Sequence, residues 1–192
     1  MLKEKLKNYH IILASGSPRR QQFFKDLNID FDIQLKEVDE IYPHELKGTE
    51  ITDYLADLKS KAFSNLSEKE LLITSDTIVW LENKALGKPK DAQDAFKMLR
   101  ALSGKKHEVI TSISIKNKFF KKIINDTTFV TFKEISDEEI NYYINNYKPY
   151  DKAGGYGIQE WIGLIAISNI EGSYFNVVGL PVHKLYEELM KL

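Results

Sequence analysis

The sequence predicts an α/β fold built on a long mixed sheet, and three observations carry that expectation. Short apolar runs that stop at serine, Ile11–Ala14 and Leu71–Thr74, read as buried strands. Between and after them lie segments with apolar residues at helical spacing, opened by good N-cap residues. From His107 to Lys133 the period changes to two, the mark of paired strands. Alternating strands and helices followed by a run of strands give a sheet with parallel and antiparallel parts and helices around it.

The elements follow in order. Ile11–Ala14 ends at Ser15-Gly16, and Ser17-Pro18 then supplies an N-cap and a proline at the first helical position. Phe23, Phe24 and Leu27 give that helix its apolar stripe. Phe31–Val38 reads as extended and leads into Asp39-Glu40. A helix starts after Thr49, with Ile51, Tyr54, Leu55, Leu58 and Ala62 on one face. Leu71–Thr74 runs into Asp76, which the sequence puts at a strand end. Asp91 caps a helix with Ala95, Met98, Leu99 and Leu102 inward and Gly104 as its stop. Val109, Thr111, Ile113 and Ile115 alternate, Lys116-Asn117-Lys118 turns, and two more extended runs complete an expected antiparallel meander. Ser136-Asp137-Glu138-Glu139 is a capping box for a helix with Ile140, Tyr143, Ile144 and Tyr147 inward, ended by Pro149. A loop, a strand around Leu164–Ile167 and a last helix opened by Pro181 follow. With no repeat, low-complexity tract or linker, residues 1–192 are expected to form one domain.

Charge and composition narrow the function. With 27 Lys and Arg against 28 Asp and Glu, the net charge is −1. Nothing global draws the chain to nucleic acid or to an anionic membrane, so any phosphate must be held by a local cluster of cations. The absence of cysteine excludes disulfides, thiolate metal sites and cysteine nucleophiles. Met1–Asn8 is polar and lysine-rich, and the apolar run after it is too short for a signal peptide. No stretch approaches the roughly 20 apolar residues of a membrane helix. The expectation is a cytoplasmic protein.

Four groups of residues could carry chemistry. Ser15-Gly16-Ser17-Pro18-Arg19-Arg20 joins a strand to a helix N-terminus, where free N–H groups and the dipole attract anions. Two arginines in that first turn oppose the dipole at a cost of a few tenths of a kcal/mol, which an arriving phosphate would reverse; the alternative is a plain cap with solvated arginines. Asp39, Glu40 and Asp76 are oxygen ligands of the type a hard divalent cation takes, sharing it with water and phosphate; the alternative is ordinary turn and surface acids. Lys61, Lys88 in Gly87-Lys88-Pro89, and Lys152 in Asp151-Lys152-Ala153-Gly154-Gly155 could act as point charges on phosphate. In Gly154-Gly155-Tyr156-Gly157-Ile158-Gln159, glycines allow close backbone approach, and Gln159 offers a donor and an acceptor to a base edge. His107 reads as structural, since no second histidine stands at ligand spacing.

The order of these pieces is more specific than any one of them. Ser15-x-Ser17-Pro-Arg-Arg, Lys61-Ala62, Ser75-Asp76-Thr77 and Leu86-Gly-Lys-Pro89 come first. Leu102-Ser-Gly104 with His107-Glu-Val109, Asp151-Lys-Ala-Gly154 with Tyr156-Gly-Ile-Gln159, and Gly172-Ser173-Tyr174 with Asn176-Val-Val-Gly-Leu-Pro181 follow. From about Ile11 to Leu189 the chain resembles the Maf family. The resemblance implies a Maf/inosine-triphosphatase-like fold, an elongated mixed sheet with helices in two lobes around a central cleft, often dimeric. It implies hydrolysis of a nucleoside triphosphate between the α and β phosphates with a divalent metal (Mg, Mn or Co), as house-cleaning of nucleotide pools. The Asp-Lys-Ala-Gly…Gln form looks like the branch acting on dTTP and UTP.

Carried over by position, Ser15, Ser17, Arg19 and Arg20 would hold the phosphates. Glu40 and Asp76 would bind metal, with Asp76 also acting on the attacking water. Lys61 and Lys88 would balance charge, and Lys152 and Gln159 would face the substrate. Among Glu37, Asp39 and Glu40 the resemblance favours Glu40. One departure is Glu160-Trp161 after Gln159, where many members have glycine. Two other readings stay open: a non-hydrolysing nucleotide-binding regulator of septum formation, and a purine pyrophosphatase of the inosine-triphosphate type. A homodimer is compatible with all three.

Overall fold

The structure, a computed structural model, describes residues 1–192. Helix α1 (Leu2–Leu6), strand β1 (His10–Leu13), helix α2 (Pro18–Asp26), strand β2 (Phe31–Ile33) and helix α3 (Thr49–Lys61) come first. Strands β3 (Glu70–Leu81) and β4 (Lys84–Leu86), helix α4 (Ala92–Leu102), and strands β5 (Lys106–Lys116) and β6 (Lys121–Phe132) follow. Helix α5 (Asp137–Tyr147), a 3₁₀ turn at Ala153–Gly155, helix α6 (Trp161–Ala166), strand β7 (Ile167–Glu171), and helices α7 (Tyr174–Val178) and α8 (Val182–Leu189) complete the chain. The strands form one seven-stranded sheet in the order β2-β1-β3-β5-β6-β7, with β4 paired to β3. It is mixed, as expected: β1 lies parallel to β2 and β3, whereas β3–β4 and β6–β7 are antiparallel. No helix is long and apolar enough to cross a membrane.

The fold groups into two compact units. The first comprises Met1–Asp76, Thr111–Asp126 and Gly179–Leu192, the second Thr77–Ile110 and Thr127–Val178. In the first unit, Ile11 pairs with Phe31 on one side and Leu71 on the other, and Leu13 with Ile33 and Ile73. A strand with parallel neighbours on both sides needs both faces covered, which is why β1 reads as an unbroken apolar run. Phe24 of α2 is fully buried, edge-on to Phe31 at 5.3 Å between ring centroids. The Thr74 hydroxyl donates to the Ala56 carbonyl at 2.6 Å, tying β3 to α3.

Four expectations are corrected. Asp76 sits seventh in a twelve-residue strand instead of at its end, because Ile78–Leu81 continue the apolar run beyond the polar Ser75-Asp76-Thr77. Only Phe31–Ile33 of the expected Phe31–Val38 segment is strand. The two runs after the turn at 117–120 are one strand, β6. Its polar centre is satisfied sideways: Asn125 donates to both carboxylate oxygens of Asp53 at 3.1 Å, and Asp126 pairs with Lys184 at 2.7 Å. Trp161–Ala166 is helix instead of the strand expected around Leu164, and β7 starts at Ile167. An apolar run this short cannot separate the two states, and Leu164 ends up 81% exposed.

The core of the second unit gathers Val79, Leu99, Leu102, Val130, Phe132, Ile140, Tyr143 and Tyr156. Each such side chain contributes about 1.5–3 kcal/mol on burial. The expected capping box is formed, with Ser136 and Glu139 each accepting from the other's backbone N–H. His107 is embedded in this core, edge-on to Phe132 and Tyr156, its Nε2 2.8 Å from the Tyr156 hydroxyl oxygen. Burial pushes its imidazole down to about 4. The unfolded chain therefore takes up a proton that the fold refuses. Stability is complete above the ordinary histidine value and is lost as pH falls from about 6.5 toward 4. At pH 5 the loss should be about 2 kcal/mol. Urea denaturation at pH 7 and pH 5 should give a smaller difference for His107→Gln than for the parent chain.

Candidate active site

The anion-binding turn forms as the sequence expects. Ser17 caps α2, its side chain accepting from the Arg20 N–H, with Pro18 in the first turn. Arg20 turns back under the helix. Its Nε donates to the Gly179 carbonyl at 2.9 Å, and one terminal nitrogen donates to the Ser75 carbonyl at 2.9 Å and to the Ser15 hydroxyl at 3.3 Å. It thereby joins the α2 turn to β3 next to Asp76. Burial pushes its guanidinium down to about 10, against the stabilising charge of Asp76 and with the repulsion of Arg19. Arg19 is half-buried in the same turn.

Asp76 is 6% exposed. Lys59 of α3 places its Nζ 2.5 Å from Asp76 Oδ1 and 2.9 Å from Glu40 Oε1, so two carboxylates converge on one cationic position. Of Glu37, Asp39 and Glu40, only Glu40 makes such a pair. The segment bearing it is anchored by Lys36, which donates to the Ala62 carbonyl at 2.8 Å and lies over the Phe63 ring. Burial raises the Asp76 carboxyl above the usual range. Lys59 and Arg20 oppose the rise, and the neighbouring charge of Glu40 adds to it.

Lys61 is not brought to this cluster. Its ammonium pairs with Asp57 at 2.8 Å, four residues back on the exposed side of α3. The inward face is Ile51, Thr52, Leu55, Ala56 and Ser60, while Tyr54 is exposed. That is a rotation from the stripe expected in the sequence, and it carries Lys59 inward in place of Lys61. The signal was present: Lys59 stands three and four residues after Ala56 and Leu55, both on the buried face.

The remaining expected residues lie in the second unit. The Gly154 N–H donates to the Gly87 carbonyl at 2.9 Å, joining the Gly87-Lys88-Pro89 turn to the Asp151–Gly155 segment. Gly154 has φ +68°, and a Cβ there would stand 2.7 Å from Val79, so glycine is required. Lys88 and Gln159 are exposed. Lys152 is 9% exposed, its Nζ 2.7 Å from Asp151 Oδ1 and 3.0 Å from Glu160 Oε1.

A family model described as Maf-like protein matches residues 10–192. The chain belongs to the Maf family. Among Maf relatives, a dTTP/UTP pyrophosphatase of Flavobacterium johnsoniae is 64% identical, covering all of both chains. A dTTP/UTP pyrophosphatase of Bacteroides fragilis is 50% identical over 97% of this chain and 98% of its own. Among solved structures, a HAM1 protein from Coxiella burnetii aligns with a TM-score of 0.52 at 16% identity, over 96% of this chain and 100% of that one. At that identity the likeness concerns the fold alone, and it agrees with the inosine-triphosphatase-like architecture that the Maf resemblance implies.

Lys59 holds the Asp76 carboxyl down, so Lys59→Met should let it rise further. If ionised Asp76 is needed for turnover, the acid limb of kcat/KM against pH should move to higher pH in Lys59→Met. Lys61→Met should leave that limb where it is. A pH–rate series on the three proteins checks both.

Proposed function

We propose that this Maf protein hydrolyses dTTP and UTP to the monophosphate and pyrophosphate, with a divalent metal. The carrying observation is the convergence of Glu40 and Asp76 on one cationic position, with Arg20 beside it. The names of relatives up to 64% identical over the whole chain support the substrate class.

The residues fit the implied metal. The oxygens that now surround an ammonium are those a hard cation prefers. No third acid, histidine or cysteine gathers with them, so the fit is to an ion completed by water and phosphate oxygens. Such an ion, when bound, supplies charge neutralisation on the phosphate oxygens and lowers the pKa of bound water. The chain's own residues do the rest. Glu40 and Asp76 would hold that cation, which would leave the Lys59 ammonium available to phosphate. Ser15, Ser17 and Arg19 bind phosphate oxygens at the α2 N-terminus, where N–H groups point outward. Arg20 holds the Ser75 backbone, and so Asp76, in place. Asp76 orients the attacking water and accepts its proton. The water oxygen bonds to the α-phosphorus as the bond to the α–β bridging oxygen breaks. Lys88 stabilises charge on the leaving pyrophosphate. Lys152 and Gln159 read the base.

Asp76→Asn should lower kcat for UTP by about 100-fold or more while changing the melting temperature little. Pyrophosphate release with Mg²⁺ or Mn²⁺, measured across dTTP, UTP, CTP, GTP, methylated GTP and ITP, tests the substrate class. Release chiefly from dTTP and UTP is expected. Release chiefly from methylated GTP or ITP would overturn the pyrimidine reading. Tight nucleotide binding without turnover would replace hydrolysis with regulation.

A further inference from the structure

Glu160 follows Gln159 directly, and its side chain is folded inward. One carboxylate oxygen, Oε2, accepts from the Tyr143 hydroxyl, and the other, Oε1, stands 3.0 Å from Lys152 Nζ. The Tyr143 hydroxyl also accepts the Gly157 N–H at 3.0 Å, and the Glu160 N–H donates to the Gly157 carbonyl at 3.0 Å. The carboxylate is thus the hub of a closed ring: Glu160, Tyr143, Gly157 and back through the turn. The packing is tight. A Cβ on Gly157 would stand 2.9 Å from Glu160 Cδ and 3.0 Å from Lys152 Cε, and a Cβ on Gly163 would stand 2.0 Å from the Ile158 carbonyl oxygen. Gln159 is carried between these two constrained points.

The charge arrangement decides what Lys152 can do. Its ammonium lies between two carboxylates, Asp151 and Glu160, so the cluster carries a net negative charge. An approaching phosphate meets that charge at short range. A neutral carbonyl does not, and the ammonium has a third N–H to give it.

We infer that Glu160 is a positioning residue. Held by Tyr143, it aims the Lys152 ammonium at a neutral carbonyl of the nucleobase and withholds it from phosphate. This rests on the reading that Lys152 faces the substrate, and it goes beyond that reading in assigning the ligand atom type and the residue that enforces it.

A double-mutant cycle tests it, using the full chain with Mg²⁺ and following kcat and KM for UTP and CTP, which differ at the 4-position carbonyl. Glu160→Gln keeps the shape and removes the charge. It should lower kcat/KM for UTP about tenfold, mainly through KM, and narrow the UTP-to-CTP ratio. Tyr143→Phe should act in the same direction. In the Lys152→Met background both should have no further effect, because they act through the ammonium. The inference is overturned if Glu160→Gln leaves kcat/KM unchanged while Lys152→Met lowers it, or if the two losses multiply. Equal losses for UTP and CTP in Lys152→Met that shrink with added salt would assign Lys152 to phosphate and overturn the carbonyl. If Lys152→Met alone changes nothing for any nucleotide, the substrate-facing reading of Lys152 falls first, and this inference with it.

Discussion

A carboxylate buried in the middle of a central strand stays ionised only if cations stand beside it. Removing such a charge from water costs several kcal/mol, and an uncompensated one takes up a proton instead. Asp76 is in that position, and the surrounding structure is organised around it. Lys59 reaches it from α3, and Arg20 from under α2. The Thr74 hydroxyl ties the same strand to α3 one turn below. The Glu40 segment is pinned so that a second carboxylate meets the same ammonium. Each of these contacts is marginal for stability, since a buried pair can lose as much in desolvation as it gains in attraction. Their value is in holding two acids close together around one cationic position.

The second unit solves a different problem with the same means. Lys152 is nearly buried and carries its compensation with it in Asp151 and Glu160. Here the acids outnumber the cation, whereas at Asp76 the cations Lys59 and Arg20 face Asp76 and Glu40 in equal number. That difference separates a group suited to phosphate and metal from one suited to a neutral acceptor. The apolar core beneath supplies the rigidity: Tyr143 is both a core residue of α5 and the donor that holds Glu160.

Much of this was legible in the sequence. The α2 turn announced itself through Ser17-Pro18, α5 through its capping box, and the mixed sheet through the change of period near His107. Motif order placed the chain in its family. Less legible were elements whose signals are short or ambiguous: α6, the single strand β6, and the interior position of Asp76. In each of these, polar or apolar runs acquire their meaning only from a partner distant in the chain, such as Asp53 for Asn125 or Lys184 for Asp126.

The sequence by itself determined which residues are available and the periodicities that sort them into helix and strand, because those depend on neighbours within a few positions. It carried Ser15, Arg20, Glu40, Asp76 and Lys152 as candidates for the same reason. Only the tertiary structure decided that Lys59, and not Lys61, meets the acids. The two differ by a rotation of α3, and that rotation is set by which face the rest of the unit buries. Only the tertiary structure, too, turned Glu160 from an odd residue after Gln159 into a clamp on Lys152. Its partners Tyr143 and Lys152 are 17 and 8 positions away in the chain, and close packing alone brings them together.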